Sequence, residues 1–185
     1  MRKLIFGINL TIDGCCDHTK GTGNDEVHEY FAQLMRNTDT LLYGRKTYEL
    51  MAPYWPDVAK DKSGPTKAIN DFADAFASID NIVVCSRTLN KVGKNTSIIS
   101  GNLEEEILKL KLQPGGNIST GGVDIPSQLI TLGLVDEYHI VVQPIVAGAG
   151  RRFLDDTDLP ESLQLKLVDS KVFESGHVAL KYIKQ

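Results

Sequence analysis

ISTGGVDIPSQLITLG, residues 118–133, passes from a β-branched run through a glycine pair into a helical pattern. Residues 118–120 read as a short buried strand and Gly121-Gly122 as its exit. Ile125, Leu129 and Leu132 then fall on the inward face of a helix that Gly133 closes. A strand that runs directly into a helix is half of a parallel βα unit, and this places the chain in the α/β class.

The same alternation recurs toward the amino terminus. Residues 3–10 read as a first strand, and Asp13-Gly14 as a turn. Asn24 is the expected N-cap of a helix whose face is Val27, Tyr30, Phe31, Leu34 and Met35, with Asp25 and Glu26 on the first-turn dipole. Residues 40–43 form a second strand, followed by a short helix from Arg45 that Pro53 ends. A loop leads on to a helix with Ile69, Phe72, Ala73 and Phe76 inward. Strands follow at 82–85 and 97–99. Asn102 with Glu105 resembles a capping box for a helix on Leu103, Ile107 and Leu110. Beyond Gly133 the pattern changes. Residues 137–146, 163–173 and 177–183 read as long strands with no helix between them, and Ser175-Gly176 as the hairpin turn of the last two. The expected fold is one domain over 1–185, with a mixed, mostly parallel sheet ending in an antiparallel hairpin and helices flanking it.

Composition narrows the function classes. With 42% hydrophobic and 24% charged residues, 185 residues suffice for one compact core. The net charge of -4 is spread without a basic run, which excludes a nucleic-acid footprint. The apolar stretch 4–10 is too short to span a bilayer, and no cleavage site follows it, so a cytoplasmic protein without membrane attachment is expected. Cys15, Cys16 and Cys85 make an odd count with an adjacent pair, the pattern of reduced thiols. His18, His28, His139 and His177 share no metal-ligand spacing with them, so no metal is expected.

Three segments stand where a strand gives way to a helix or loop. Gly44-Arg45-Lys46-Thr47 offers close backbone approach, cations and a hydroxyl to a phosphate; it is equally a plain helix start with solvated cations. Ser86-Arg87 sets a hydroxyl beside a guanidinium, which suits a dianion such as the 2′-phosphate of NADP, or is an ordinary polar turn. Gly121-Gly122-Val123 lets backbone N–H groups reach a pyrophosphate, or is a tight turn.

The order of these segments, with TIDG at 11–14, LLYGRKTYE at 41–49, IVVCSRTL at 82–89, LQPGGNISTGG at 112–122 and LVDEYHIVVQPIVAGAGRRFL at 134–154, resembles the dihydrofolate-reductase-like superfamily. The branch it resembles is the reductase domain of the bifunctional riboflavin-biosynthesis deaminase-reductase, here as a stand-alone chain. The resemblance implies a three-layer dihydrofolate-reductase-like fold and an NADPH-dependent reductase that delivers hydride to a small heterocycle. The model substrate is 5-amino-6-(5-phosphoribosylamino)uracil. It implies that Gly44, Arg45, Lys46 and Thr47 hold NADPH phosphates, that Ser86 and Arg87 select the 2′-phosphate, and that Gly121, Gly122 and Val123 carry the pyrophosphate. Asn9, Asp13 and Phe31 would face substrate, with Lys20, Arg151 or Arg152 near a ribose phosphate.

The folate enzymes of this superfamily place a buried acid four residues ahead of an aromatic. Val27 stands there relative to Phe31, so the neighbouring Glu26 and the motif residue Asp13 are the candidate proton donors. Asp13 also reads as a turn residue bonding its own backbone, and His28 as a solvated histidine. Trp55 either roofs the site or covers the core. Ile79 replaces the arginine that grips a folate tail, and Thr120 replaces an acid common before the glycine pair in the riboflavin branch. A divergent dihydrofolate reductase and a non-catalytic nucleotide-binding or ligand-sensing protein are the alternative readings. Relatives of the riboflavin type pair as dimers, which makes a homodimer an expectation here.

Overall fold

The computed structural model describes residues 1–155, 157, 159 and 161–185. Among these residues, six helices flank one sheet of eight strands, ordered β4-β3-β2-β5-β1-β6-β8-β7. The strands are β1 (Leu4–Thr11), β2 (Thr38–Gly44), β3 (Asn81–Cys85), β4 (Thr96–Ile99), β5 (Asn117–Thr120), β6 (Glu137–Gln143), β7 (Leu165–Val172) and β8 (Val178–Lys184). β1 to β6 run parallel to one another, whereas β8 is antiparallel to both β6 and β7. This is the dihydrofolate-reductase-like α/β arrangement expected above.

The helices are α1 (Asp25–Met35), α2 (Arg45–Met51), α3 (Tyr54–Asp61), α4 (Lys67–Ala77), α5 (Leu103–Leu112) and α6 (Asp124–Thr131). Three begin with the side-chain caps their sequences call for. Asn24 accepts from Val27 N at 2.8 Å, Thr66 from Ile69 N at 3.3 Å and Asn102 from Glu105 N at 3.2 Å.

Strand alternation builds a core on each face of the sheet. Leu41, Tyr43 and Val84 pack under α1 and α4 with Met35, Phe72 and Phe76. Leu4, Phe6, Ile8, Leu42 and Ile118 pack on the other face against Ile107 of α5 and Leu129 of α6. Each layer thus removes one apolar helix stripe from water, the dominant favourable term in folding. A third cluster, Val27, Val141, Phe173 and Ala179, joins the start of α1 to the C-terminal hairpin.

Three expectations need correction. Residues 54–61 form α3 rather than a loop, because Pro53 occupies its cap and Pro56 its first turn, where no intrahelical N–H is required; Val58 then buries its side chain. Leu132 points outward. α6 ends at Thr131, Gly133 turns at φ +66, and Leu134 takes the core position instead. β6 stops at Gln143 before Pro144, and β7 runs only from Leu165 to Val172, so these two strands are shorter than read, while β8 is shifted by one residue.

Buried charges gather at the amino ends of the strands. Arg2 bonds Asp39, Thr40 Oγ1 at 2.8 Å and Gly116 O at 2.8 Å, and Lys111 bonds Asp136 at 2.6 Å and Leu134 O at 2.8 Å. Each cation thus meets a carboxylate and a carbonyl; in open α/β sheets ligands collect at the opposite, carboxyl edge.

Candidate active site

A cleft of about 1100 Å³ opens where β1, β2 and β5 end. The order β2-β5-β1 inserts a late strand between two early ones, so separate strand-to-helix connections emerge side by side along one edge. Gly44 through Thr47 enter from β2, Gly121 through Val123 from β5, and Asn9 from β1, while Phe31 forms part of the α1 wall. These expected residues therefore share one cavity.

Glycines permit the close approach of the walls. A Cβ on Gly44 would lie 3.1 Å from Ile125 Cγ1, and one on Gly122, at φ +86, would overlap Thr47 Oγ1. The β2 and β5 connections touch through a gap that only hydrogen fills. Arg45 is held by Glu49 at 3.0 Å, and Asp124, in the first turn of α6, pairs with Arg151 at 2.5 Å, which draws its carboxyl below the usual range.

Ser86 and Arg87 line a second hollow of about 340 Å³ with Ser100, Gly101 and Gln128. It meets the main cleft at Cys85 and Ile125, which border both. Ser86 Oγ accepts from Thr88 N at 3.2 Å and Leu89 N at 3.0 Å, so the polar-turn reading of this segment holds as far as the serine is concerned. Arg87 is exposed at the rim.

Neither expected proton donor lines the cleft. Asp13 accepts from Thr11 Oγ1 at 2.6 Å, Ala147 N at 3.0 Å and Gly148 N at 2.9 Å. The Thr11 hydroxyl first, then the Ala147 amide, hold its carboxyl down to about 2. It is ionised at neutral pH and ties the 147–148 loop to the end of β1. Glu26 accepts from Glu174 N at 3.1 Å and Ser175 N at 3.0 Å and clasps the β7–β8 turn; the Ser175 bonds lower its pKa. Because the folded pKa of Asp13 is depressed, its bonds to the loop are intact above the ordinary value near 3.8 and are lost as pH falls through about 2. A carboxyl-carbon NMR titration of Asp13 is expected to show a midpoint near 2, and a midpoint of 4 or above would contradict this anchoring role.

The groups that do face the cleft were not legible as a motif. His28 packs against Trp55 and Phe72 and lines the cavity rather than standing in solvent, and Trp55 roofs it beside them. His28 Nδ1 lies 2.7 Å from Asn24 O; a carbonyl only accepts, so Nδ1 carries the proton and Nε2 keeps the lone pair. Gln143 and His177 close the end of the cavity under α1. The cavity thiols are poor nucleophiles, since burial pushes Cys85 up to about 12 and raises Cys16. Among the described residues, no cluster of His, Cys, Asp or Glu is arranged for a metal ion, and no helix is long and apolar enough to cross a membrane.

Comparison with known proteins agrees with this architecture. The chain is 30% identical to the uncharacterized protein YyaP of Bacillus subtilis (strain 168) over 191 aligned residues, covering 98% of this chain and 94% of that protein. Its fold matches the crystal structure of a putative riboflavin biosynthesis protein from Shewanella sp. PV-4 with a TM-score of 0.73 at 21% identity, over 99% of both chains. It also matches dihydrofolate reductase from Enterococcus faecalis complexed with NADP(H), with a TM-score of 0.65 at 16% identity, over 99% of this chain and 96% of that one. The sequence profile of the RibD C-terminal domain fits residues 2–179, and the chain belongs to that family.

Proposed function

We propose that this protein is an NADPH-dependent reductase acting on a small heterocycle of the pyrimidine type. The observation that carries the reading is the convergence of the β2 and β5 connections on one cleft, with Gly122 leaving a cradle that any Cβ would fill. The dihydrofolate reductase of the same fold is complexed with NADP(H), and the Shewanella protein carries a riboflavin-biosynthesis description.

Bound NADPH supplies a hydride to an electrophilic C=N or C=O carbon. Arg45, Lys46 and the Thr47 hydroxyl neutralise and orient its phosphates, and Gly121, Gly122 and Val123 bring backbone amides at the start of α6 to its pyrophosphate. Arg87, at the adjoining hollow, grips the 2′-phosphate. Phe31, Trp55 and Phe72 exclude water from the reacting ring, and Asn9 orients it. His28 Nε2 takes up a proton from solvent and passes it to the heteroatom beside the reduced carbon, replacing Asp13 and Glu26 in that role. Ile79, which stands in sequence where folate enzymes carry the arginine for a glutamate tail, is buried and apolar and supplies no cation, and this disfavours folate as substrate.

Fluorescence titration of NADPH against NADH tests the reading. The wild type is expected to prefer NADPH, and Arg87→Ala to lose roughly 10- to 100-fold in NADPH affinity with little change for NADH, the range for a charge-assisted bond. Equal affinity of the wild type for both cofactors would remove Arg87 from the assignment.

A further inference from the structure

Most buried ionisable groups of this protein satisfy one another. Tyr30 Oη lies 2.6 Å from His139 Nδ1, His139 Nε2 lies 2.7 Å from Glu137, and Glu137 also receives Lys181 at 2.9 Å. Tyr138 and His177 break this rule among the described residues, and of the two only His177 lines the cleft. His177 is 3% exposed, and its Nε2 has no partner among the described residues.

The tautomer of His177 follows from its neighbour. Asn24 Oδ1 is committed to Val27 N at 2.8 Å, so the other arm of that amide, Nδ2, faces His177 Nδ1 at 3.0 Å. An amide nitrogen only donates, so Nδ1 must accept, and the Ser175 hydroxyl at 3.1 Å serves the same lone pair. The ring proton therefore sits on Nε2. A buried N–H without an acceptor costs free energy unless a ligand supplies one.

A second donor stands beside it. Extending the β6–β8 register one step beyond Val142–Val178 sets Gln143 opposite His177, and cross-strand partners share a face. Val141 and Ala179, two residues back on each strand, pack under Val27 of α1 and fix which face this is. Gln143 Oε1 accepts from Thr22 N at 3.0 Å, leaving its amine arm for a ligand.

We infer that His177 Nε2–H, with the Gln143 amide beside it, is a specificity-determining donor pair that reads a ring carbonyl of the substrate. The inference rests on the proposal that the cleft holds that substrate. The ligand class is a planar cyclic amide or imide; a ring bearing amino groups in place of carbonyls would oppose donor to donor.

The test uses the full chain labelled with 15N-histidine. Long-range 1H–15N spectra are expected to show His177 with the proton on Nε2 and His28 with it on Nδ1. Titration with 5,6-diaminouracil is expected to shift the His177 Nε2 resonance, and titration with 2,4,5,6-tetraaminopyrimidine to leave it in place. His177→Asn keeps an acceptor where Nδ1 stood and removes the Nε2 donor; it is expected to weaken diaminouracil binding about 10-fold. His177→Gln, whose longer amide returns a donor near that point, restores it. A proton on Nδ1 of His177, equal binding by His177→Asn, or no binding of diaminouracil by the wild type would each overturn the inference. NADPH affinity measured on the same samples separates the two proposals: diaminouracil binding through His177 without NADPH binding removes the reductase reading alone, and the reverse pattern removes only the carbonyl-reading pair.

Discussion

Gly122→Ala is expected to lower NADPH affinity by at least about 100-fold, equivalent to some 2.7 kcal/mol. Two costs combine at this position. The residue sits at φ +86, where a side chain is strained by about 1–3 kcal/mol, and the new methyl meets Thr47 Oγ1, with Thr47 Cβ 3.4 Å away. Either the β5 connection moves, and its amides lose their aim, or α2 is pushed aside and Thr47 leaves the cleft. Stability falls as well, by roughly 3 kcal/mol or about 10 °C in Tm for a domain of this size. Thr47→Ala in the same chain removes the overlapping hydroxyl and should recover part of the Tm, a non-additivity that identifies the contact. Gly121→Ala is the control for Tm alone, since its methyl would find only Gly7 O at 3.5 Å and Tyr43 at 3.9 Å, ordinary contacts. Isothermal titration that returns wild-type NADPH affinity for Gly122→Ala would show that the glycine pair does not cradle the cofactor.

The second large effect belongs to His28. His28→Asn keeps a donor for Asn24 O in place of Nδ1–H and removes Nε2 from the cleft. If the imidazole delivers the proton, kcat on 5-amino-6-(5-phosphoribosylamino)uracil should drop about 100-fold, the lower range for a positioned general acid. NADPH affinity should stay within about 3-fold, because no phosphate contact is touched. Stopped-flow absorbance of NADPH oxidation reads both. A variant that turns over at the wild-type rate would make His28 a wall residue and leave protonation to water.

The parts of the molecule that were legible in the sequence are those governed by local periodicity. Strand β5 and helix α6 could be read from residues 118–133 because burial on both sides of a sheet selects β-branched runs, and a helix stripe repeats every three or four residues. The segments that line the cleft could be located too, since each lies at a strand exit, and the topology brings every such exit to one edge. Helix α3 was not legible, because Pro53 and Pro56 signal breakage in any window that does not know they open a helix. Asp13 and Glu26 were misread for a related reason. An acid near a cleft motif looks chemical in one dimension, and only the folded chain reveals backbone amides of residues 147–148 and 174–175 waiting for it. His28 and His177 carry no spacing signal at all. They are 149 positions apart in sequence (177 minus 28), and what relates them is Asn24, which the sequence marks only as a helix cap.

That asparagine has a wider consequence. Its side chain fastens the opening turn of α1 and one imidazole, while its own carbonyl fastens the other. A guest that tugs on either ring tugs on the same bracket, so occupancy of the cavity and fraying of the helix become a single coupled equilibrium. Slowed deuterium uptake at the Val27 amide would then act as a built-in gauge of whether the chamber is filled.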